Sequence, residues 1–492
     1  MSIWRRKPLH LLMAESADSE KGLKRTLTAW SLIALGIGAI IGAGLFVRTA
    51  TAAAQNAGPS VTIGFIVAAI GCALAGLCYA ELSSSIPISG SAYTYTYATM
   101  GEFLAWIIGW DLILEYAVGA ATVGIAWSEY LNNLLVSVLH TDPIPYAFSH
   151  SPFQVSALGE HGIINLPALF IVAAISLLLI RGTQESAFVN GIIVVVKVAI
   201  VIMIIVFGWH FINPVNHATY IPPASTYTDE SGVSHNFGGI MGILGAAGTV
   251  FFAFIGFDAV STAAQETKNP KRDMPIGILG SLAVCTVLYI LFAHVLTGVA
   301  TVEDFRTGGK EASVAFAINK YMVGYAWLGN FVTIAILAGF SSVILVMLLG
   351  QSRVFYAMGK DGLLPKFFSH VHPKFQTPYK ANLVILVIVG LFAAFIPGDI
   401  VGDMTSIGTL FAFILVCISV IILRKREPDM VREFKTPFVP LVPLLGVAVC
   451  LAMIYGLGWL NWMRLIVWMV LGVAIYFIYS KKHSELGKKE RE

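Results

Sequence analysis

Twelve apolar stretches, each near or above the roughly 20 residues a helix needs to cross a bilayer, recur along the whole chain with short polar gaps between them. Their limits read as 28–55, 60–86, 102–138, 163–181, 187–212, 239–265, 275–300, 326–358, 380–396, 403–424, 438–457 and 460–480. In hydrocarbon every backbone N–H and C=O must be paired within the chain, so stretches of this kind have one soft option, the helix. Only 12% of the 492 residues are charged, against about 25% in ordinary soluble domains. The pattern predicts an all-α integral membrane protein of twelve transmembrane helices in one bundle.

Orientation follows from the basic residues, because Lys and Arg concentrate on the cytoplasmic side. With the N-terminus inside, 25 of the 31 Lys and Arg fall in cytoplasmic segments, while Arg306, Lys310, Lys320 and Arg464 lie outside. Arg48 and Lys197 lie within spans. That asymmetry requires an even number of crossings and both termini cytoplasmic. The first span follows a charged, uncleaved start and is expected to stay in the mature protein.

Several functions are disfavoured. The net charge of +3 is small and dispersed, which argues against nucleic acid. The five cysteines, Cys72, Cys78, Cys285, Cys417 and Cys450, are odd in number and sit in apolar stretches, as free thiols acting as small hydrophobes do. The loop histidines His140, His150, His161, His210, His217 and His235 have no metal-like spacing. No catalytic triad pattern or phosphate loop is present. The chain reads as neither an enzyme nor a metalloprotein, and without a cofactor.

The first span contains "GIGAIIGAGLF", Gly36 to Phe46. A helix broken at mid-membrane leaves carbonyls at the end of its first half and N–H groups at the start of its second, and these ends carry opposite partial charges. A break near Ile41 to Gly44 directs the N–H groups of Ala43, Gly44 and Leu45 at an anion and the carbonyls of Gly38 to Ile41 at a cation. Taken alone, the glycines serve equally well as a small-residue packing face. The sixth span supplies a second break signal in "FFAFIGFD", with Gly256 two residues before the buried acid Asp258. Interrupted helices at corresponding places in two halves point to a transporter site at an inverted-repeat interface. Here they imply five spans per repeat with two appended, and the carbonyls of Phe252, Ala253 and Ile255 join the cation end of the site.

"GIGAIIGAGLF", "FFAFIGFD" and the loop "ETKNPKRDMPIGIL" together resemble the amino acid, polyamine and organocation transporter superfamily. "GWDLILEYAVG" and "RVFYAMGKDGLLPKFF" are most similar to its cationic amino acid transporter subfamily and bacterial relatives. The resemblance covers about residues 25–480. It implies a LeuT-type 5+5 fold with broken first and sixth helices and amino acid transport. It divides the chain into a tail (1–26), a ten-helix core (27–424), two added helices (425–480) and a second tail (481–492).

Carried over residue by residue, the resemblance makes Ile41, Gly42, Ala43 and Gly44 the unwound carboxylate-binding turn, with Ile40 a further substrate-binding residue. It makes Phe252 the aromatic gate, Ala253 and Ile255 the amine acceptors, and Met347 part of the side-chain pocket. Relatives that carry cationic substrates place a small polar residue where Met347 stands, and a thioether suits small or medium apolar side chains.

Lys197 is an ionisable residue deep in the fifth span, which is a functional signal by default. The resemblance places it where relatives bind sodium, near the Gly38 carbonyl and the Ser341 and Ser342 hydroxyls, which implies a proton as coupling ion. A snorkelling lysine is the structural alternative. Glu115 is expected to partner Lys197, carry the proton itself, or serve a structural hydrogen bond. Asp258 is read as a cap for the second half of the sixth span. Arg48 is assigned to an accessible outer vestibule, Pro270 and Pro275 to helix stops, and Glu266 to a pairing with Arg25.

These readings converge on a multi-pass plasma membrane symporter that couples a proton to L-amino acids, small or neutral ones such as alanine. The alternatives are an arginine or lysine transporter, an exchanger, a channel or an amino acid sensor. The partners are the substrate and the bilayer; nothing in the sequence identifies a small membrane subunit or lipid ligand.

Overall fold

Two helices stop and restart inside the apolar body of the protein, and the rest of the architecture is arranged around those stops. The computed structural model describes residues 4–8, 27–86, 91–156, 158–181, 186–229, 232–309, 313–375 and 377–489. Most of the 1–26 tail lies outside the described residues, as do Arg25 and the Glu266 side chain of the expected pairing.

The chain is predominantly helical. Among the described residues eight helices are long and apolar enough to cross a membrane, and Ala29–Ile40, Leu166–Arg181, Tyr379–Phe395 and Leu441–Gly456 are shorter apolar helices. The first broken unit comprises α1 (Ala29–Ile40), α2 (Ala43–Phe46) and α3 (Arg48–Ala52), closed by a π-helical turn over Ala53–Ala57. There follow α4 (Val61–Ser85), α5 (Ser91–Thr99), α6 (Glu102–Leu112) and α7 (Gly119–Ser137), the last two joined through a π-helical turn, Ile113–Val118. Then come α8 (Leu166–Arg181) and α9 (Ser186–Trp209). The second broken unit is α10 (Gly239–Phe251), continued by a 3₁₀ turn Phe252–Phe254 and, past the break, a 3₁₀ segment Asp258–Glu266 in place of an α-helix. The longer helices that follow are α11 (Pro270–Val299), α12 (Ala326–Lys360), α13 (Tyr379–Phe395), α14 (Gly398–Arg426), α15 (Leu441–Gly456) and α16 (Trp459–Ile475).

Local chemistry sets these ends. Thr28 caps α1 by accepting the Ser31 N–H at 3.4 Å. Pro270 opens α11 at a position whose N–H has no partner in any helix. Pro275 was expected to stop a helix, but it lies inside α11. It sits near the start of the helix, where one missing backbone bond is the local cost.

Small residues let the central helices touch. A Cβ on Gly36 of α1 would stand 2.5 Å from Ser281 Oγ of α11, and one on Gly64 of α4 would stand 3.2 Å from Ala246 Cβ of α10. Gly36 therefore serves packing, the alternative left open for the glycine run, whereas Gly42 and Gly44 belong to the break. All five cysteines are buried and free.

At one end of the bundle the segments nearest both ends of the chain meet on Glu102. Its carboxylate accepts from Tyr97 at 3.2 Å, from Tyr476 at 3.1 Å and from Ser484, and Arg5 lies 3.6 Å away. Lys7 reaches Asp361 at 2.9 Å beside it. At the other end a hairpin of β1 (Ser225–Thr228) and β2 (Ser234–Phe237) is tied to the first broken unit by the Gly238 N–H, which donates to Asn56 O at 2.7 Å.

Candidate functional site

The first break falls at Ile41 and Gly42. Ile41 leaves the helix with φ −72° and ψ 106°, still donating to Ile37 O at 2.9 Å, and Gly42 is fully extended. Leu45 N–H already bonds Gly42 O at 3.1 Å, so it is not one of the open donors that the sequence suggested. The N–H groups of Gly42, Ala43 and Gly44 have no backbone acceptor among the described residues. These three donors head the second half of the helix, the arrangement that holds an anion.

The second break falls at Ile255 to Phe257. Ile255 turns extended at φ −59° and ψ 136°, and Gly256 takes φ +110°, a conformation that glycine alone adopts without strain. A Cβ there would also stand 3.1 Å from the Ala39 backbone. The two breaks thus face each other at backbone distance: a Cβ on Gly44 would overlap Ala253 Cα and stand 2.5 Å from its nitrogen. Phe252, Ala253 and Ile255 are all buried at this junction.

A residue that pattern reading missed joins the two carbonyl ends. The Tyr289 hydroxyl of α11 lies 3.0 Å from Ile40 O and 2.9 Å from Ala253 O. No periodicity marks a tyrosine in an apolar helix as different from a core residue; only the pairing across helices reveals it. Val343 of α12 is a second such residue, its Cγ2 3.1 Å from the site a Gly42 Cβ would occupy. Met347 lies one turn further along the same helix, buried, with its sulfur 3.2 Å from where a Cβ on Gly119 would be and Thr405 beside it. Met347 thus packs between α7 and α14, four residues from the side chain that touches the break.

Lys197 is buried on α9 and donates to Gly38 O at 2.9 Å. Its stem lies over Gly339 of α12, where a Cβ would stand 2.8 Å from Lys197 Cε. Ser341 Oγ turns back to Leu337 O of its own helix at 3.0 Å, and Ser342 is buried beside it. The lysine is locked to the first broken helix rather than snorkelling to an interface.

Glu115, in the π-helical turn, is buried in the neighbourhood of Asp258 and Asp111. Asp258 accepts from Tyr116 and, at 3.3 Å, from Ser91. It is the first residue of its 3₁₀ segment, following Phe257 at the N-cap; both hydroxyls fall on its Oδ2, and its Oδ1 is buried with no hydrogen-bond partner among the described residues, so the expected capping bond from Asp258 is not present there. Both Glu115 carboxyl oxygens are buried with no hydrogen-bond partner among the described residues, and Lys197 donates to Gly38 O and not to Glu115.

A cavity of about 520 Å³ leads to the first break, with Ala43, Val47, Arg48, Thr122, Asp399 and Asp403 among its lining. Arg48 lines this vestibule as expected but is not accessible: it is 3% exposed, held by Asp399 at 3.1 Å and by Asp403. Two carboxylates compensate the buried guanidinium. No group of three or more potential metal ligands occurs among the described residues.

Comparison with known proteins gives the family. A family model described as Amino acid permease matches residues 27–478. The chain is 44% identical over 488 residues to a branched-chain amino acid permease of Bacillus subtilis, covering 99% of both chains. It is 41% identical over 488 residues to a methylthioribose transporter of the same organism, covering 99% of this chain and 100% of that one. It is 33% identical over 428 residues to a vacuolar cationic amino acid transporter of Arabidopsis thaliana, covering 87% and 68%. With a whole-length family match and apolar helices throughout, this chain is a multi-pass plasma membrane transporter, not an enzyme, and belongs to the amino acid permease family of the amino acid, polyamine and organocation superfamily.

Proposed function

We propose that the protein is a proton-coupled symporter of neutral L-amino acids with small or medium apolar side chains, branched-chain ones foremost, working by alternating access. The observation that carries this reading is the junction of the breaks. Three N–H donors of Gly42 to Gly44 lie on one side and the carbonyls of Ile40 and Ala253 on the other. A carboxylate and an ammonium one carbon apart satisfy both ends at once, which an ion or a neutral sugar does not. Val343 beside Gly42 gives the neighbouring surface an apolar character suited to an uncharged side chain, with Met347 one turn further along the same helix, and the relative named a branched-chain permease is in keeping with it.

The coupling ion in this reading is the proton. Lys197 supplies a fixed ammonium to the Gly38 carbonyl, where a cation is otherwise needed, and its loss and gain of a proton couples to the first helix. The neighbouring carboxyls of Glu115 and Asp258 form a second place where one proton relieves the repulsion of like charges. The frame is twelve crossings, spans one to five and six to ten forming inverted repeats with 425–480 appended, and both termini cytoplasmic. The broken helices at matching positions and the meeting of both chain ends on Glu102 support it.

Uptake into liposomes tests the proposal. Labelled leucine should accumulate under an inward proton gradient, independently of sodium, and unlabelled valine or isoleucine should compete while arginine should not. Sodium-dependent uptake would remove the proton assignment. Competition by methylthioribose but by no amino acid would replace the zwitterion with a neutral thioether sugar, the cargo for which the 41% identical relative is named.

A further inference from the structure

Tyr289 lies on α11, fully buried, its ring packed 5.2 Å from Phe254 and 5.6 Å from Phe65 between centroids. Its hydroxyl stands within hydrogen-bond distance of two carbonyls that belong to different broken helices, Ile40 O at 3.0 Å and Ala253 O at 2.9 Å. A phenol carries one proton, so one hydroxyl serves two acceptors, each with two lone pairs. Donor capacity at this point falls short of acceptor capacity, and the phenol oxygen has lone pairs of its own. Three acceptor oxygens therefore converge on one spot from α1, the 3₁₀ turn after α10, and α11.

We infer that Tyr289 completes an ammonium subsite: the three N–H groups of a substrate α-ammonium donate to Ile40 O, Ala253 O and Tyr289 Oη. The phenol O–H goes on donating to one of the two carbonyls, on the lone pair that the ammonium leaves. The hydroxyl ties the two carbonyls in place before substrate arrives, so the subsite is set before binding and little ordering is left to do. This deepens the zwitterion reading and rests on it. The recognised class is a primary α-amine, because each methyl on nitrogen removes one of the three donors.

The experiment is a binding series on the full-length protein in nanodiscs, using leucine, N-methylleucine and N,N-dimethylleucine, with wild type and Tyr289→Phe. Leucine binding should weaken on the order of tenfold in Tyr289→Phe, the effect of one hydrogen bond to a charged group. The first N-methylation should weaken binding by a similar factor in wild type and by much less in the variant, because the acceptor it would lose is already gone. Equal methylation losses in both proteins overturn the assignment, as does unchanged leucine affinity in the variant. Should Tyr289→Phe not be recovered as a monodisperse protein, wild type alone decides: no loss on the first methylation overturns the three-acceptor subsite. Absence of binding by every amino acid to wild type is a separate outcome, and it removes the zwitterion reading on which this inference rests.

Discussion

Gly44 and Ala253 meet backbone to backbone where the two broken helices cross, with no room for a side-chain carbon on the glycine. Gly44→Ala should therefore fail on packing before any question of binding arises. Forcing a methyl against a neighbouring backbone costs about 1–3 kcal/mol or more, and its displacement moves the Gly42 to Gly44 donors. We expect a lowered melting temperature in detergent and loss of uptake. Gly36→Ala, which meets the side chain of Ser281, should lose stability too, and the double change Gly36→Ala with Ser281→Gly should regain most of it.

Lys197→Met removes the donor to Gly38 O while keeping the stem over Gly339. Proton-driven accumulation should fall to background, while exchange of internal for external leucine should persist. Accumulation at the wild-type level under a pH gradient would end Lys197's candidacy as the coupling group.

Arg48→Gln leaves Asp399 and Asp403 without their common cation. Breaking a buried ion pair from one side costs about 3–5 kcal/mol; Asp399 is 48% exposed, so the effect should come mostly from Asp403. The melting temperature should drop, and adding Asp403→Asn should recover part of the loss. Strict additivity of the two substitutions would show that the pair does not interact.

His217, in the loop after α9, lies 4.6 Å from His294 between ring centroids, tilted by 41°, and shares a hydrogen bond with Thr297 at 3.2 Å. Burial, and then the neighbouring His294, lowers its pKa below 6.5. A base with a lowered folded pKa resists protonation in the native state but accepts it when unfolded, so its contribution is full above pH 6.5 and declines as the pH falls below it. The melting temperature should decrease from pH 7 to pH 5, and His217→Gln should flatten that slope. An identical slope in the variant assigns the dependence elsewhere.

How much of this was legible beforehand follows the physics of each feature. The breaks were readable, because glycines and an acid inside apolar helices cost too much to be accidental. Lys197 was readable for the same reason. Tyr289 and Val343 were not, since a tyrosine or valine in an apolar helix looks like core until a neighbouring helix is placed against it. The 3₁₀ segment after Gly256 and the Asp258 contacts were also hidden: they depend on Tyr116 and Ser91, which lie 142 and 167 positions away. Arg48 shows the limit of charge reasoning, for a vestibule arginine looked solvated until α14 supplied its aspartates.

The Glu102 cluster joins residues 382 positions apart. A ribosome inserting this chain delivers Glu102 and Arg5 early and Ser484 last, so the carboxylate must wait through the synthesis of most of the protein before its set of donors is complete. The last hydroxyl donors reach the carboxylate only once residues 476–484 have been made, so the packing at this end of the bundle is completed late in synthesis.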